Sequence, residues 1–175
     1  MMRLKLFSCG AVISLIASFS FASASELDVR SRTTVFEGPY TAEVVRVIDG
    51  DTVEAVVALW PGLIAHYSIR VRGIDAPEIR GAACEKEQEW GLRAKQQVER
   101  LYPVGTSIRL KDVQYDVWSG RMLADIQRFR SDRWLSLSKE LLDRGLAVAW
   151  ETDSTEVPWC LLISDEATPP DVMSD

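Results

Sequence analysis

Between Glu43 and Ile48, between Thr52 and Leu59, and between His66 and Ile74, β-branched and apolar residues alternate with polar ones, the two-residue period of strands with one buried face. Asp49-Gly50 separates the first two runs and Pro61-Gly62 the next two, so the pattern predicts three consecutive antiparallel strands. The period then changes. From Glu85 to Leu101, Trp90, Ala94, Val98 and Leu101 recur at three- and four-residue spacing among charged and amide side chains, and Pro103 and Gly105 follow, which predicts an amphipathic helix. Ser107 to Val113 and Met122 to Phe129 return to strand character across a polar turn at Ser119-Gly120. Leu137, Leu141 and Leu142 then mark a second helix with Gly145 as its C-terminal cap. Three strands, a helix, two strands and a helix make an α+β order, in which a small, strongly curved antiparallel sheet of five strands can close into a barrel. The last run, SDEATPPDVMSD, is acidic and has little to bury, so residues 164–175 are expected to form a disordered tail.

Composition adds a compartment. The 175 residues are 47% apolar and 26% charged, enough for one domain with a sizeable core. Arg3 and Lys5 precede a largely apolar run from Leu6 to Phe21, and Ala22-Ser23-Ala24 offers a small-residue cleavage site. Residues 1–24 therefore read as a signal peptide, with an uncleaved anchor as the alternative and lipid attachment at Cys9 disfavoured by its position so near the start. Residues 25–40 form a lead segment. Removing residues 1–24 takes away Arg3 and Lys5 and no acid, which turns the net charge from −6 to −8. So acidic a chain does not hold polyanions through its overall charge; any nucleic-acid function must rest on a local positive site. Export leaves Cys84 and Cys160 as an even pair in an oxidising compartment, a candidate disulfide; the alternative is two unpaired buried thiols.

The candidate chemistry begins in VIDGDT. A turn needs one Asp, yet Asp51 stands at the start of the outgoing strand, where Asp is a poor strand former. In IRVRGIDAPEIRG, Arg70 and Arg72 share a strand face, and Asp75 and Glu78 project from the exit loop; DVWSGRMLADI opens a later strand with Arg121. Each residue alone reads as part of a solvated face or a turn. As a set they match two needs: hard divalent cations take several oxygen ligands, and a phosphodiester is gripped by paired guanidinium groups. Asp51 with Asp75 meets the first and Arg70 with Arg121 the second, while Glu78 is left to hold or deprotonate an attacking water. His66, the one histidine, has no His or Cys partner at ligand spacing, which argues against zinc.

VIDGDT, RVRGIDAPE and SGR, in this order and with an amphipathic helix between the second and third, resemble the staphylococcal nuclease-like (thermonuclease) family from about Thr41 to Trp150. The resemblance implies a five-stranded OB-fold β-barrel with two to three helices over residues 41–163, Ca2+ dependence, and cleavage of DNA and RNA to 3′-phosphate products. It also implies Asp51 and Asp75 as metal ligands, with Ala76 contributing its backbone carbonyl where the best-known members carry Thr. Arg70 and Arg121 match the phosphate-clamping arginines and Glu78 the water-activating glutamate. Trp118 falls near a tyrosine that holds a terminal phosphate, and Trp150 matches a second tyrosine only loosely. Trp90 and Trp150 fit core positions better than base-stacking ones, whereas Trp118 is a candidate stacking and substrate-binding residue. The expectation is a periplasmic or secreted calcium-dependent nuclease, monomeric and with no stable membrane association once the signal is cut. The alternatives are a non-catalytic nucleic-acid-binding OB module and a calcium-binding secreted module.

Overall fold

The computed structural model describes residues 34–116, 119–150 and 156–163. The expected signal peptide, most of the lead segment, Trp118 and the acidic tail lie outside these residues. Among the described residues, nine strands and three helices run in the order β1 (Val35–Phe36), β2 (Tyr40–Val47), β3 (Thr52–Trp60), β4 (Leu63–Val71), β5 (Ile74–Asp75), α1 (Glu85–Leu101), β6 (Ser107–Asp116), β7 (Arg121–Arg130), β8 (Arg133–Ser136), α2 (Leu137–Leu142), β9 (Val148–Ala149) and α3 (Trp159–Leu162).

Alternation builds the barrel wall. Ala42, Val44 and Val47 of β2, Val53, Ala55 and Val57 of β3, Ile69 and Val71 of β4, Ile108 and Leu110 of β6, and Ala124 and Ile126 of β7 are buried in one core cluster. The step from Val44 to Val47 breaks the two-residue rule because the β2–β3 register shifts between Val44 and Arg46, a bulge that returns Val47 to the inside. Strands pair as β2–β3–β4–β7–β6 and back to β2, a closed ring of five. The sequence pattern predicts an antiparallel sheet, but an odd ring cannot alternate direction all the way round. One pair must run parallel, and it is β4 with β7.

Helix α1 packs Ala94, Val98 and Leu101 onto the barrel, as their spacing predicts, and α2 adds Leu137 and Leu141. Gly145 takes φ +65 and Leu146 N–H bonds the Leu141 carbonyl at 3.0 Å, so the cap lies at the expected glycine. A second, smaller cluster joins Trp90 of α1 to Trp159 and Ile163 of the C-terminal segment, with Val148 and Val157 against it. Cys84, the residue before α1, is disulfide-bonded to Cys160 of α3 across a sequence separation of 76, as the export reading anticipates. Closing so long a loop corresponds to about 4.5 kcal/mol of unfolded-chain entropy as an upper figure.

Candidate active site

The site forms where the β2–β3 turn meets the exit of β4. Asp51 is 3% exposed, and both its oxygens accept hydrogen bonds: Thr52 Oγ1 and Arg70 Nη1 donate to Oδ1 at 2.9 and 3.0 Å, and Ala76 N–H donates to Oδ2 at 3.0 Å. Asp75, in the short β5, accepts from Arg70 Nη2 at 2.7 Å through Oδ1. Its second oxygen, Oδ2, accepts from the indole N–H of Trp159 at 2.8 Å. One guanidinium thus lies between two converging carboxylates, which explains why an Asp is tolerated at the mouth of β3. Burial, more than any other influence, raises the Asp51 carboxyl to about 7 from its usual 3.8; Arg70 opposes the shift, Asp49 adds to it, and the Ala76 and Thr52 hydrogen bonds oppose it. A buried carboxylate with that proton affinity is a place that wants positive charge.

Asp51, Asp75 and the Ala76 carbonyl are hard oxygen donors within two adjoining turns, the donor chemistry that suits Ca2+ or Mg2+ and not a soft metal. Asp49, read from sequence only as a turn residue, belongs with them. Its Oδ1 accepts from Asp51 N–H at 3.2 Å, and its charge raises the proton affinity of both Asp51 and Glu78. The signal was present in the doubled acid of VIDGDT, but turn chemistry alone accounts for the first Asp.

Glu78 is exposed at the rim. Among the described residues no donor engages its carboxylate, and its pKa is raised above 4.5 by partial desolvation first and by Asp49 next, with Arg70 opposing and Asp75 and Glu87 adding. Its backbone is held from behind: the Glu78 N–H lies 3.4 Å from Glu87 Oε1, and Glu87 Oε2 accepts from Ala83 N–H at 2.7 Å. Glu87 is the buried acid of the first turn of α1, a second site-supporting residue that helical periodicity does not reveal. Gly91 completes the support, because a Cβ there would stand 2.6 Å from the Pro77 carbonyl oxygen and 2.9 Å from that of Glu78. The helix therefore touches the loop through bare backbone.

Arg121 is brought to the same outer face without touching the acids. The parallel register sets Arg70 opposite Leu123, so Arg121 lies one pleat away on the neighbouring strand, roughly 7 Å along and about 5 Å across. Its Nε donates to Ser119 Oγ at 2.9 Å, and Ser119 in turn bonds the Asp116 carboxylate. Arg72 leaves the set: its Nη2 donates to the Asp112 carbonyl and Gln114 Oε1 at 2.7 and 3.0 Å, a latch between β4 and β6. Trp90 is buried as expected, but Trp150 is only half-buried, and the Arg70 guanidinium carbon lies 5.5 Å from its ring centroid. Trp150 is thus a wall of the site and not a core residue, since β9 pairs with β5, Trp150 N–H donates to the Gly73 carbonyl at 3.1 Å, and the ring lies beside the Arg70 guanidinium. A cavity of about 530 Å3 lined by Tyr40, Tyr67, Tyr115 and Met122 opens on the inner side of the wall, away from these charges.

A family model described as "Staphylococcal nuclease homologue" matches residues 68–165, more than half of the chain, a span that holds Arg70, Asp75, Ala76, Glu78, Arg121 and both half-cystines. No curated protein matches the chain. With its closed five-stranded mixed barrel, its α+β order and the acids and arginines gathered at one rim, the chain belongs to the staphylococcal nuclease homologue family.

Proposed function

We propose that the chain is an exported, calcium-dependent nuclease that hydrolyses phosphodiester bonds in DNA and RNA and leaves 3′-phosphate ends. The observation that carries this reading is the convergence of Asp51 and Asp75 on one guanidinium, beside a rim glutamate that no donor among the described residues engages. Asp51, Asp75 and the Ala76 carbonyl would hold Ca2+, which when bound supplies positive charge toward the phosphate oxygens. The chain's own groups do the rest. Arg70 and Arg121, displayed on one outer face, offer planar two-point contacts to the non-bridging oxygens, and Arg70 has N–H donors beyond the two it gives to the acids. Glu78 takes one proton from a water that attacks phosphorus in line; the bond from phosphorus to the 5′-oxygen breaks, that oxygen gains a proton, and the phosphate stays on the 3′ side.

The Cys84–Cys160 bond and the residue 1–24 pattern support export to the periplasm or beyond, where such a bond forms and persists. Monomeric action and release from the membrane belong to the same reading, as does a contact from Trp118 to substrate. Cleavage of fluorogenic DNA and RNA with excess chelator and with added Ca2+ tests it: chelation abolishes cleavage and Ca2+ restores it. Full activity in chelator contradicts the metal assignment, and binding of nucleic acid without cleavage at saturating Ca2+ favours the non-catalytic module.

A further inference from the structure

Asp75 is held from two sides by different kinds of donor. Arg70, a cation, takes Oδ1, and the Trp159 indole, a neutral donor, takes Oδ2 at 2.8 Å. A carboxylate has about four lone-pair sites, so one hydrogen bond on each oxygen fixes its plane and leaves a lone pair on each for another partner. The neutral donor does this without adding a positive charge that would repel a cation.

Trp159 reaches Asp75 from far along the chain. It belongs to α3, a single turn of four residues that cannot hold its shape by its own hydrogen bonds. Two things keep it there. Its ring is buried with Ile163 against Trp90, and its neighbour Cys160 is covalently joined to Cys84 at the foot of α1. Cys160 Sγ also lies 3.7 Å from Glu87 Oε2, the carboxylate that supports the Glu78 loop. The disulfide thus pins the segment whose indole N–H holds the outer oxygen of Asp75.

We propose that Trp159 is a positioning residue for the Asp75 carboxylate and that the Cys84–Cys160 bond sets it in place, so that the affinity of the acid site for Ca2+ depends on the oxidation state of this pair. The inference rests on the nuclease reading above. Reduction by a dithiol such as dithiothreitol transfers two electrons and two protons, breaks the Sγ–Sγ bond to two thiols and leaves the reagent as its cyclic disulfide. Freed of the bond, α3 has only the small apolar cluster to hold it, and the indole spends less time on Asp75.

The test is the Ca2+ dissociation constant from calorimetry, measured on the full mature chain as wild type, Trp159→Phe and Cys84→Ser/Cys160→Ser, each with and without dithiothreitol. Phe keeps the aromatic contact with Trp90 and removes only the N–H. Losing a hydrogen bond that orients a ligand carboxylate costs about 10- to 100-fold in metal affinity. Trp159→Phe is expected to show that loss with KM for nucleic acid unchanged at saturating Ca2+. Reduced wild type should weaken in the same direction, and Trp159→Phe should lose little more on reduction. Wild-type affinity in Trp159→Phe, or no response of the wild type to reduction, overturns the proposal even where melting temperature falls. If the serine pair does not fold, wild type and Trp159→Phe with and without dithiothreitol still decide it. A wild type that neither binds Ca2+ nor cleaves nucleic acid removes the nuclease reading and this inference together, whereas a wild type that does both beside an unchanged Trp159→Phe removes this inference alone.

Discussion

Arg121 differs from Arg70 in what already holds it. Its Nε bonds Ser119, and among the described residues its Nη groups bond no acid of the site, which leaves the planar fork for the proposed contact with phosphate. Arg121→Ala is expected to slow single-turnover cleavage of an oligonucleotide by about 10²- to 10³-fold, and Lys, a point charge, to recover only part of that. Near wild-type rates in Arg121→Lys would show that two-point contact is not its role. If Asp51 holds Ca2+ as proposed, protons compete with the cation there. Its folded value of about 7 lies above the unfolded 3.8, so the stability it contributes is complete below pH 4 and is lost as pH rises through 7. Glu78 is shifted in the same direction. In chelator, the melting temperature should therefore fall between pH 5 and about 8, and added Ca2+ should raise it most at the alkaline end. At limiting Ca2+ the acid limb of the rate profile should lie near pH 7 and move lower as Ca2+ increases. A melting temperature that rises across this range in chelator would contradict the site's electrostatics.

At the scale of elements, alternation and helical spacing disclosed the five barrel strands, α1 and α2, because each buries a regular stripe. What they could not disclose has no period. β1, β5 and β9 are two-residue pairings set by tertiary contact, and α3 is one turn held by a disulfide and two tryptophans. β4 begins at Leu63, earlier than the alternation suggests, because Leu63 and Ile64 are exposed on the hairpin and carry no inward stripe. Asp51, Asp75, Ala76 and Arg70 were legible as a group, and the structure brings them within hydrogen-bonding reach. Asp49, Glu87 and Trp159 were not, since a turn acid, a helix-start acid and a late tryptophan each have an ordinary explanation. The contact of α1 with the Pro77–Glu78 backbone gives an element-scale prediction. Gly91→Ala places a methyl against two carbonyl oxygens, so the loop must move. Overpacking of this kind costs about 1 to 3 kcal/mol, and a misplacement near 1 Å at Glu78 costs about 10²-fold in rate. Thermal melts and single-turnover rates on Gly91→Ala measure both, and a variant equal to wild type in rate would detach Glu78 from the helix that supports it.

For the whole molecule, charge sets the terms of encounter. With a net charge of −6, or −8 without residues 1–24, the chain repels a polyanion at long range, and the arginines of the rim must act locally. The proposed contacts of Arg70 and Arg121 with phosphate predict a weak salt dependence, a slope of about −1.4 in log affinity against log salt for a single strand at saturating Ca2+. A slope several times steeper would mean that other basic residues hold the strand. The closed barrel makes such local action possible: its strands pair all the way round, and the odd ring places the parallel β4–β7 pair under both arginines.

The most direct measurement is the fate of oxygen during one turnover. A short oligonucleotide cleaved by the mature wild-type chain in 18O-labelled water with Ca2+ should give a 3′-phosphate fragment carrying one labelled oxygen and a partner ending in an unlabelled 5′-hydroxyl. Glu78→Gln should form the same products about 10²- to 10⁴-fold more slowly. Cyclic or 5′-phosphate ends, label in the 5′-hydroxyl, or no cleavage by folded protein at saturating Ca2+ would contradict hydrolysis by this constellation of acids and arginines.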